Sequence, residues 1–379
     1  MKKIIFYIFL TILIFENNFN KIIQQRSPAN SESKPVTKEY LIQNNDDLHL
    51  FYRSFPPLYY QLMEMNLWED KFNNISKIIS VMAGDAHFEN FGIKYFDHFL
   101  RFSVNDYDDL TYGPVFLDYI RLLISAKIAG VQLNSKLLEA VKKKYIKGLN
   151  NREHVFSSTV NSMIKKSKLL TEINLKVINV VDKKFIKKKV PHFELAQEII
   201  NLWQSTILNH GKIVDSYLFR KATGGSAGLL RYQLLFELNG ELRWMEAKEW
   251  TLPAYNIGAF KNAPSQDSRI KWILQYDHPF VLSEIYFFNG KIFLLRNIDE
   301  REIGIDLKNL EEFQLENVLL DEFFSLGNFH HLFINDPLIL ANSLDKINSK
   351  DLLKFVEIIE NEIKKKAKDL TSLPDILEK

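Results

Sequence analysis

The sequence contains no cysteine, which excludes disulfides, thiolate metal ligands, a cysteine nucleophile and a lipoprotein anchor. It also has almost no net charge, because 49 Lys and Arg residues offset 47 Asp and Glu residues to a formal +2. No overall field therefore points to nucleic acid as a partner. The chain is rich in apolar residues instead: 46% hydrophobic residues and 29 Phe in 379 residues predict a large core shared by two lobes or domains.

The N-terminal residues have the pattern of a secretory signal. Lys2 and Lys3 precede an apolar run over residues 4–15, which is too short to span a bilayer comfortably, and no A-x-A cleavage site follows. We interpret residues 1–25 as a signal peptide or N-terminal anchor, which favours export or membrane association; a buried strand or helix is the alternative. The polar residues 26–38 are predicted to form a linker.

The most informative stretch is GDAHFENFGIKYFDHFLRFSVNDYDD, residues 84–109. Phe91–Tyr95 and Leu100–Val104 have the composition of two strands, with Asp97-His98 at the turn between them. Because a hairpin brings its two ends together, the polar residues that precede and follow it are expected to converge. Two carboxylates and an amide at one end of a hairpin suit a hard divalent cation, most naturally Mg²⁺ with phosphate oxygens.

The spacing of these residues predicts a phosphoryl-transfer loop. Asp85 and Asn90 form D-x-x-x-x-N, in which the Asp orients the attacking hydroxyl and accepts its proton while the Asn holds a metal ion. Asp106 follows the hairpin, where a second metal-binding Asp belongs, with Asp108 as a further candidate ligand. His87 is predicted to act in the same catalytic loop by positioning it. The alternative is that these residues only form turns.

A buried helix is predicted directly after this stretch. Residues 115–129 are nearly all apolar apart from three charged residues, and Gly130 is a plausible stop. Asp118 and Arg121 are three positions apart and share a face of that helix. We expect Asp118 to brace the catalytic loop; a plain structural salt bridge is the alternative.

A second candidate half-site lies far along the chain. Strand-like alternation over residues 217–238 and 242–248 surrounds a glycine cluster, and the later strand contains Lys248. Backbone N–H groups of such a cluster can approach phosphates closely, and a Lys on the strand after a glycine-rich hairpin can bind the α- and β-phosphates. The predicted nucleotide-binding residues are Gly224, Gly225, Ser226, Gly228 and Lys248.

The remaining signals are weaker. Asn239-Gly240 and Asn289-Gly290 predict two hairpins, and residues 265–275 predict a short helix. His330-His331 has no third ligand at a useful spacing, so core or surface histidines are favoured over a metal site. Basic residues between 142 and 189 predict either contact with a membrane or other anionic surface or simply a solvated face.

These motifs together resemble a known architecture. GDAHFENFG followed by NDYDD is similar to the catalytic core of the protein-kinase-like superfamily, especially its aminoglycoside-phosphotransferase branch. The whole pattern also resembles an uncharacterised bacterial family, domain of unknown function 2252. The motifs that carry this resemblance are Phe51/Arg53, Gly84–Gly92, Asn105–Asp109, Asp118–Leu122, Gly224–Gly228 and Lys248-Glu249.

The resemblance implies an α+β, two-lobed protein-kinase-like fold that is circularly permuted. Kinases place the nucleotide-gripping sheet first, whereas here the catalytic loop comes first and the antiparallel sheet lies in the second half of the chain. The expected organisation is a helical catalytic lobe over residues 39–214, a β-rich nucleotide-binding lobe over 215–300 and C-terminal helices over 301–379 that complete the helical lobe. New termini of this kind are tolerated on exposed loops.

The function implied is ATP- and Mg²⁺-dependent phosphoryl transfer to an unidentified small-molecule or protein acceptor. The same parts would also serve AMP transfer. The chain departs from the kinase pattern in one respect. The helix glutamate that normally pairs with the lysine has no clear candidate, because residues 251–283 contain no Glu. Asp267 or Glu249 are the available substitutes, so a pseudokinase or nucleotide-binding scaffold is the main alternative. A metallophosphoesterase is a further one, because G-D-x-H also opens two-metal sites.

Overall fold

The structure is a computed structural model, and it has a mixed α+β fold with antiparallel sheets. The residues that it describes are 47–66, 70–96, 99–172, 180–181, 184–185, 211–220, 229–238, 240–259, 261–277, 284–288, 291–298 and 302–371. The predicted signal segment and linker therefore lie outside the described residues. None of the helices in these ranges is long and apolar enough to cross a membrane.

The predicted hairpin is confirmed. Strands β2 (Phe91–Phe96) and β3 (Phe99–Val104) pair antiparallel, with Phe91 opposite Val104 and Phe96 opposite Phe99. The predicted turn residues, Asp97-His98, lie outside the described residues. The strands before and after the hairpin, β1 (Ile79–Met82) and β4 (Thr111–Pro114), also pair with each other antiparallel.

Helices supply most of the main core. They are α1 (Leu48–Ser54), α2 (Pro56–Asn66), α3 (Asn73–Ser76), α4 (Phe116–Ile128), α5 (Ser135–Leu149), α6 (Ser158–Glu172), α7 (Ala254–Gly258), α8 (Gln266–Asp277), α9 (Glu312–His331), α10 (Pro337–Asp345) and α11 (Ser349–Thr371). Helix α4 confirms the predicted buried helix, because every side chain from Phe116 to Ala126 is buried.

The C-terminal helices pack onto the first half of the chain. Helix α9 approaches α5 so closely that a Cβ atom on Gly327 would lie 2.2 Å from the backbone oxygen of Tyr145. Helix α11 buries an apolar face that includes Leu352, Phe355 and Ile359. At its start, Asn348 Oδ1 accepts a hydrogen bond from the backbone N–H of Lys350 at 2.8 Å.

The second half of the chain forms a five-stranded antiparallel sheet in the order β10-β11-β9-β8-β7. Its strands are β7 (Lys212–Arg220), β8 (Leu230–Leu238), β9 (Glu241–Glu249), β10 (Glu284–Phe288) and β11 (Lys291–Ile298). Both predicted hairpins are confirmed, because Leu238 lies opposite Glu241 and Phe288 lies opposite Lys291. Strand β7 runs across residue 214, where we predicted the lobe boundary.

Three short strands lie elsewhere in the described part of the chain. β5 (Val180–Val181) pairs with β6 (Lys184–Phe185), and β12 (Ile303–Gly304) pairs with β2. The apolar face of the large sheet forms a second, smaller core that includes Leu234, Met245 and Phe293. The opposite face of that sheet bears Lys248 and is the face that approaches the loop after β3.

Candidate functional site

Two loops lie side by side between the β1–β4 strand pair and the β2–β3 hairpin. Residues 83–90 connect β1 to β2, and residues 105–110 connect β3 to β4. Strand pairing anchors both ends of these loops, since Met82 lies opposite Thr111 and Phe91 lies opposite Val104. Gly84 is required by this approach: its φ is +76°, and an added Cβ would lie 2.0 Å from the backbone oxygen of Asp109.

Asn90 connects the two loops. Its side-chain Nδ2 donates to the backbone oxygens of Asp85, at 2.8 Å, and Asp106, at 2.9 Å. Its Oδ1 accepts the backbone N–H of Asp106 at 2.9 Å, and the side chain is buried. The structure therefore shows Asn90 as a crosslink between the loops. Its predicted role as a metal ligand would use the second lone pair of Oδ1.

Helix α4 holds the first loop through Asp118, which confirms the predicted bracing. Its Oδ2 accepts the backbone N–H of Ala83 at 2.6 Å, and its Oδ1 accepts that of Gly84 at 3.1 Å. Asp118 is fully buried, so these contacts are shielded from water. They position the backbone directly before Asp85.

A buried histidine continues this brace into α5 and α9. His330 Nε2 lies 3.2 Å from Asp118 Oδ2, and its Nδ1 lies 2.6 Å from the hydroxyl oxygen of Tyr145. Both contacts are satisfied when Nε2–H donates to the carboxylate and the tyrosine hydroxyl donates to Nδ1. His331 Nδ1 lies 2.8 Å from the backbone oxygen of Leu149. The prediction that these are core or surface histidines is confirmed.

Arg121 holds the carboxylate of Asp85. Its Nε lies 2.9 Å from Asp85 Oδ1, and its Nη2 also contacts that oxygen. The guanidinium carbon lies 4.6 Å from the centre of the Tyr52 ring. Burial works against a charge here, but the adjacent Asp85 raises the pKa of Arg121 above its ordinary value, so this cation is retained. Asp118 and Arg121 thus contact the loop separately.

His87 lies beside the same carboxylate as a neutral ring. Burial, together with the positive charges of Arg121 and Arg53, holds the pKa of His87 well below its ordinary value. Its Nε2 lies 3.9 Å from Asp85 Oδ2, and its Nδ1 has no hydrogen-bond partner within the described part of the chain. Arg53 forms an ion pair with Glu89 on the same loop. The motif residues on α1 and on the loop are therefore in contact.

The structure brings Lys248 to the second loop. Its Nζ lies 3.5 Å from Asp106 Oδ2 and also contacts Asp108 Oδ2. The lysine side chain is 5% exposed, whereas that of Asp106 is 46% exposed. Residues that are far apart in the sequence thus form one cluster of two carboxylates and an ammonium group.

Sequence reasoning missed two charged residues of the sheet next to this cluster. Arg296 on β11 lies 3.9 Å from Asp106 Oδ1 and 3.9 Å from Asp108 Oδ1. Its Nη2 donates to Glu246 Oε1 at 3.0 Å. Burial opposes ionisation of Glu246, but Arg296 and Arg231 hold its pKa below its ordinary value. Glu246 could have been noticed, because it is two residues before Lys248 and strand side chains alternate.

Neither Glu249 nor Asp267, the expected substitutes for the helix glutamate, forms an ion pair with Lys248 in the structure. Glu249 lies on the opposite face of the sheet, where its Oε1 accepts from Lys291 Nζ and its Oε2 from the backbone N–H of Leu230, each at 3.0 Å. Asp267 is exposed in the first turn of α8. The alternation of side chains along β9 explains the first result, since residues 248 and 249 must face opposite ways.

A group of contacts fixes the chain that leaves β9 against the second loop. Trp250 Nε1 donates to the backbone oxygen of Asp108 at 3.0 Å, and Ala254 N–H donates to Asp109 Oδ1 at 2.8 Å. Arg269 Nε donates to the backbone oxygen of Leu110 at 3.1 Å, and its guanidinium lies 3.8 Å from the Trp250 ring centre. No motif in the sequence indicated these contacts.

The carboxylates of Asp106 and Asp108 suit Mg²⁺, which prefers oxygen ligands and often takes only one or two carboxylates beside substrate phosphates. Within the residues that the structure describes, no group of three or more His, Asp or Glu residues is arranged to hold a metal ion by itself. The predicted phosphate loop at Gly224, Gly225, Ser226 and Gly228 lies outside the described residues.

One predicted surface residue is not at the surface. Lys142, the first of the basic residues between 142 and 189, is buried. Its Nζ donates to the backbone oxygen of Ile347 at 2.9 Å and lies 2.9 Å from Glu139 Oε1. Lys142 therefore joins α5 to the segment before α11 and is not available to an anionic surface.

No curated protein and no solved structure matches this chain. Residues 45–190 match the model of a family described as "Uncharacterized protein conserved in bacteria (DUF2252)". The matched residues include the loops at 83–90 and 105–110 and helix α4, and they do not include Lys248. The first half of the site is thus similar to that bacterial family, as the motifs predicted.

Proposed function

We propose that the protein is an ATP- and Mg²⁺-dependent phosphotransferase with a circularly permuted, two-lobed kinase-like architecture. The observation that carries this proposal is the approach of Lys248 Nζ, from the sheet, to within 3.5 Å of Asp106 on the loop beside Asp85. A lysine on a sheet that faces metal-binding acids on a loop of the helical region is the arrangement used by kinase-like phosphotransferases. The chain order, with the loop before the sheet, is the basis for proposing permutation.

Asp85 is the proposed catalytic base. Arg121 fixes its Oδ1, and Oδ2 is the oxygen proposed to receive a proton from the acceptor hydroxyl. The acceptor oxygen then bonds to the γ-phosphorus as the bond from that phosphorus to the β–γ bridging oxygen breaks, and ADP leaves. Neutral His87 and the crosslinking Asn90 keep the loop in position during this step. Alignment supplies a large part of such catalysis.

The side of the site formed by the five-stranded sheet is proposed to hold the triphosphate. Lys248 binds phosphate oxygens together with backbone N–H groups of Gly224–Gly228, the predicted phosphate loop. Asp106 and Asp108, with Asn90, are the proposed ligands of Mg²⁺, which when bound neutralises phosphate charge. The acceptor is an unidentified hydroxyl-bearing small molecule or protein.

Substitution of Asp106 tests this function. The purified protein is assayed for Mg²⁺-dependent release of ADP from ATP, with and without candidate acceptors. We expect Asp106→Ala to abolish turnover while it remains folded, because its side chain is 46% exposed and its backbone keeps the contacts with Asn90. The matched control is Asp351→Ala, which removes an exposed carboxylate that is 2.7 Å from Lys71. Full turnover in Asp106→Ala contradicts the proposal.

A nucleotide-binding scaffold without catalysis is the second candidate. The observation that favours it concerns the missing helix glutamate: Glu249 binds Lys291 on the opposite face of the sheet and Asp267 is exposed, so neither is a partner for Lys248. Thermal unfolding with ATP and Mg²⁺ separates the two functions. A scaffold is stabilised by nucleotide, since binding to the folded state raises stability, but it shows no turnover.

A further inference from the structure

A second cation shares the sheet face that bears Lys248. Antiparallel pairing places Arg296 of β11 directly opposite Glu246 of β9, two residues before the lysine. Opposed residues, and residues two apart on one strand, face the same way. Arg296 Nη1 accordingly lies 3.9 Å from both Asp106 Oδ1 and Asp108 Oδ1. Both cations therefore face the same pair of carboxylates from neighbouring strands.

The orientation of Arg296 is set within the sheet by Glu246. Arg296 Nη2 donates to Glu246 Oε1 at 3.0 Å. The carboxylate is held in turn by Arg231 Nη1, at 3.0 Å from each oxygen, and by Gln233 Nε2 at 2.7 Å. Arg231, Gln233 and Glu246 are all buried, so this acceptor is fixed before any ligand arrives. One edge of the Arg296 guanidinium is thus anchored while Nη1 faces the loop.

We propose that Arg296 is a second phosphate-binding cation beside Lys248, and that Glu246 is its positioning residue. The inference rests on the proposed function and specifies its ligand: the phosphates of a nucleoside triphosphate closest to Asp106 and Asp108. A planar guanidinium that is anchored along one edge offers N–H groups in fixed directions, which suits phosphate oxygens.

Affinity measurements test the role of Arg296. Binding of ATP with Mg²⁺, and separately of inorganic tripolyphosphate, is measured by calorimetry for the wild type, Arg296→Gln and Arg296→Lys. We expect affinity for both probes to fall about 10- to 100-fold in Arg296→Gln, the range for one lost charge-assisted hydrogen bond, and to fall less in Arg296→Lys. Adenosine affinity should remain unchanged, because adenosine carries no phosphate.

Lys291→Gln is the matched control. Lys291 lies on the same strand as Arg296 and forms an ion pair of similar length, 3.0 Å to Glu249, but on the opposite face of the sheet. We expect its affinity for both probes to equal that of the wild type. Thermal unfolding of each variant verifies that it is folded. Equal loss of affinity in Lys291→Gln and Arg296→Gln overturns the inference, because the loss would then follow from sheet damage.

A double-mutant cycle tests Glu246. If this residue acts through Arg296, Glu246→Gln weakens tripolyphosphate binding, and the double variant binds no more weakly than Arg296→Gln alone. Additive losses overturn the positioning role.

The two probes also separate this inference from the proposed function. Tripolyphosphate binding that depends on Arg296, without any turnover of ATP, supports the phosphate site and contradicts the phosphotransferase. Binding of ATP that is unaffected by Arg296→Gln overturns the inference and leaves the phosphotransferase in place. If the wild type binds neither probe, both are overturned.

Discussion

The two walls of the candidate site are built differently. The loop wall, residues 83–90 and 105–110, is held through its backbone: Asp118 accepts hydrogen bonds from backbone N–H groups, and Asn90 donates to backbone oxygens. The sheet wall is held to the loops by charge, through the contacts of Lys248 and Arg296 with Asp106 and Asp108. The first arrangement needs no ligand, whereas the second uses the same charges that a bound metal and phosphate would need.

This difference separates stability from binding. A carboxylate that satisfies buried backbone N–H groups is costly to remove, because the donors lose their partner in a medium of low dielectric. The ion pairs of Asp106 in the sheet wall are partly solvated, since this side chain is 46% exposed, and such pairs contribute less to folding. Substitutions in the loop wall should therefore affect unfolding most, and conservative substitutions in the sheet wall should affect ligand binding most.

The largest expected effect on stability is that of Asp118→Ala. It leaves the backbone N–H groups of Ala83 and Gly84 and the ring of His330 without their carboxylate partner. We expect the free energy of unfolding to fall by about 3–5 kcal/mol, measured by urea denaturation. Asp351→Ala, the exposed control, should change it by less than about 1 kcal/mol. Equal effects of the two substitutions would remove the distinction between the walls.

A smaller effect, with a pH signature, is expected at two buried glutamates. Glu322 on α9 is fully buried, and neither carboxylate oxygen has a hydrogen-bond partner within the described residues. Burial raises its pKa well above the ordinary value of 4.5, whereas the pKa of Glu246 is lowered. A raised pKa means that the folded state keeps a proton that the unfolded state has lost, so stability falls as pH rises above about 4.5.

We therefore expect Glu322→Gln to be more stable than the wild type by about 1–3 kcal/mol at pH 8, and the difference to shrink as pH falls toward 4.5. Glu246→Gln should behave in the opposite way. The stabilisation from Glu246 is present above pH 4.5 and is lost as pH falls through its lowered folded-state pKa. Urea denaturation of both variants at several pH values measures this, and slopes of the same sign would contradict it.

The smallest effect on stability is expected for Lys248→Arg. The substitution keeps a positive charge beside Asp106 and Asp108, so the free energy of unfolding should change by less than about 1 kcal/mol. Turnover should nevertheless fall at least about tenfold, because the guanidinium is a planar fork and cannot occupy the position of a compact ammonium group. A loss of stability as large as that of Asp118→Ala would show that the sheet wall is also a folding element.

The sequence predicted the loop wall well for a physical reason. Gly84, Asp85 and Asn90 shortly precede one hairpin and Asp106 shortly follows it, so local pairing brings them together. The bracing role of Asp118 followed from a charge on an otherwise apolar helix, which must find a buried partner. These contacts depend on segments that are close in sequence, and the hairpin between them sets their alignment.

The sheet wall was predicted only in part, because it depends on pairing between distant strands. The position of Arg296 opposite Glu246 follows from the register of β11 on β9, which no turn between those two strands determines. Trp250 and Arg269 bind backbone oxygens of the second loop, and backbone acceptors leave no trace in the sequence. Glu249, by contrast, could have been rejected, because adjacent residues of a strand face opposite sides.

The contacts of Trp250, Ala254 and Arg269 with the second loop also restrict movement between the sheet and the loops. They tie the exit of β9 to the second loop, so the walls cannot separate there without losing these contacts. Lys248 lies two residues before Trp250, so these contacts also limit how far its amine can move from Asp106 and Asp108.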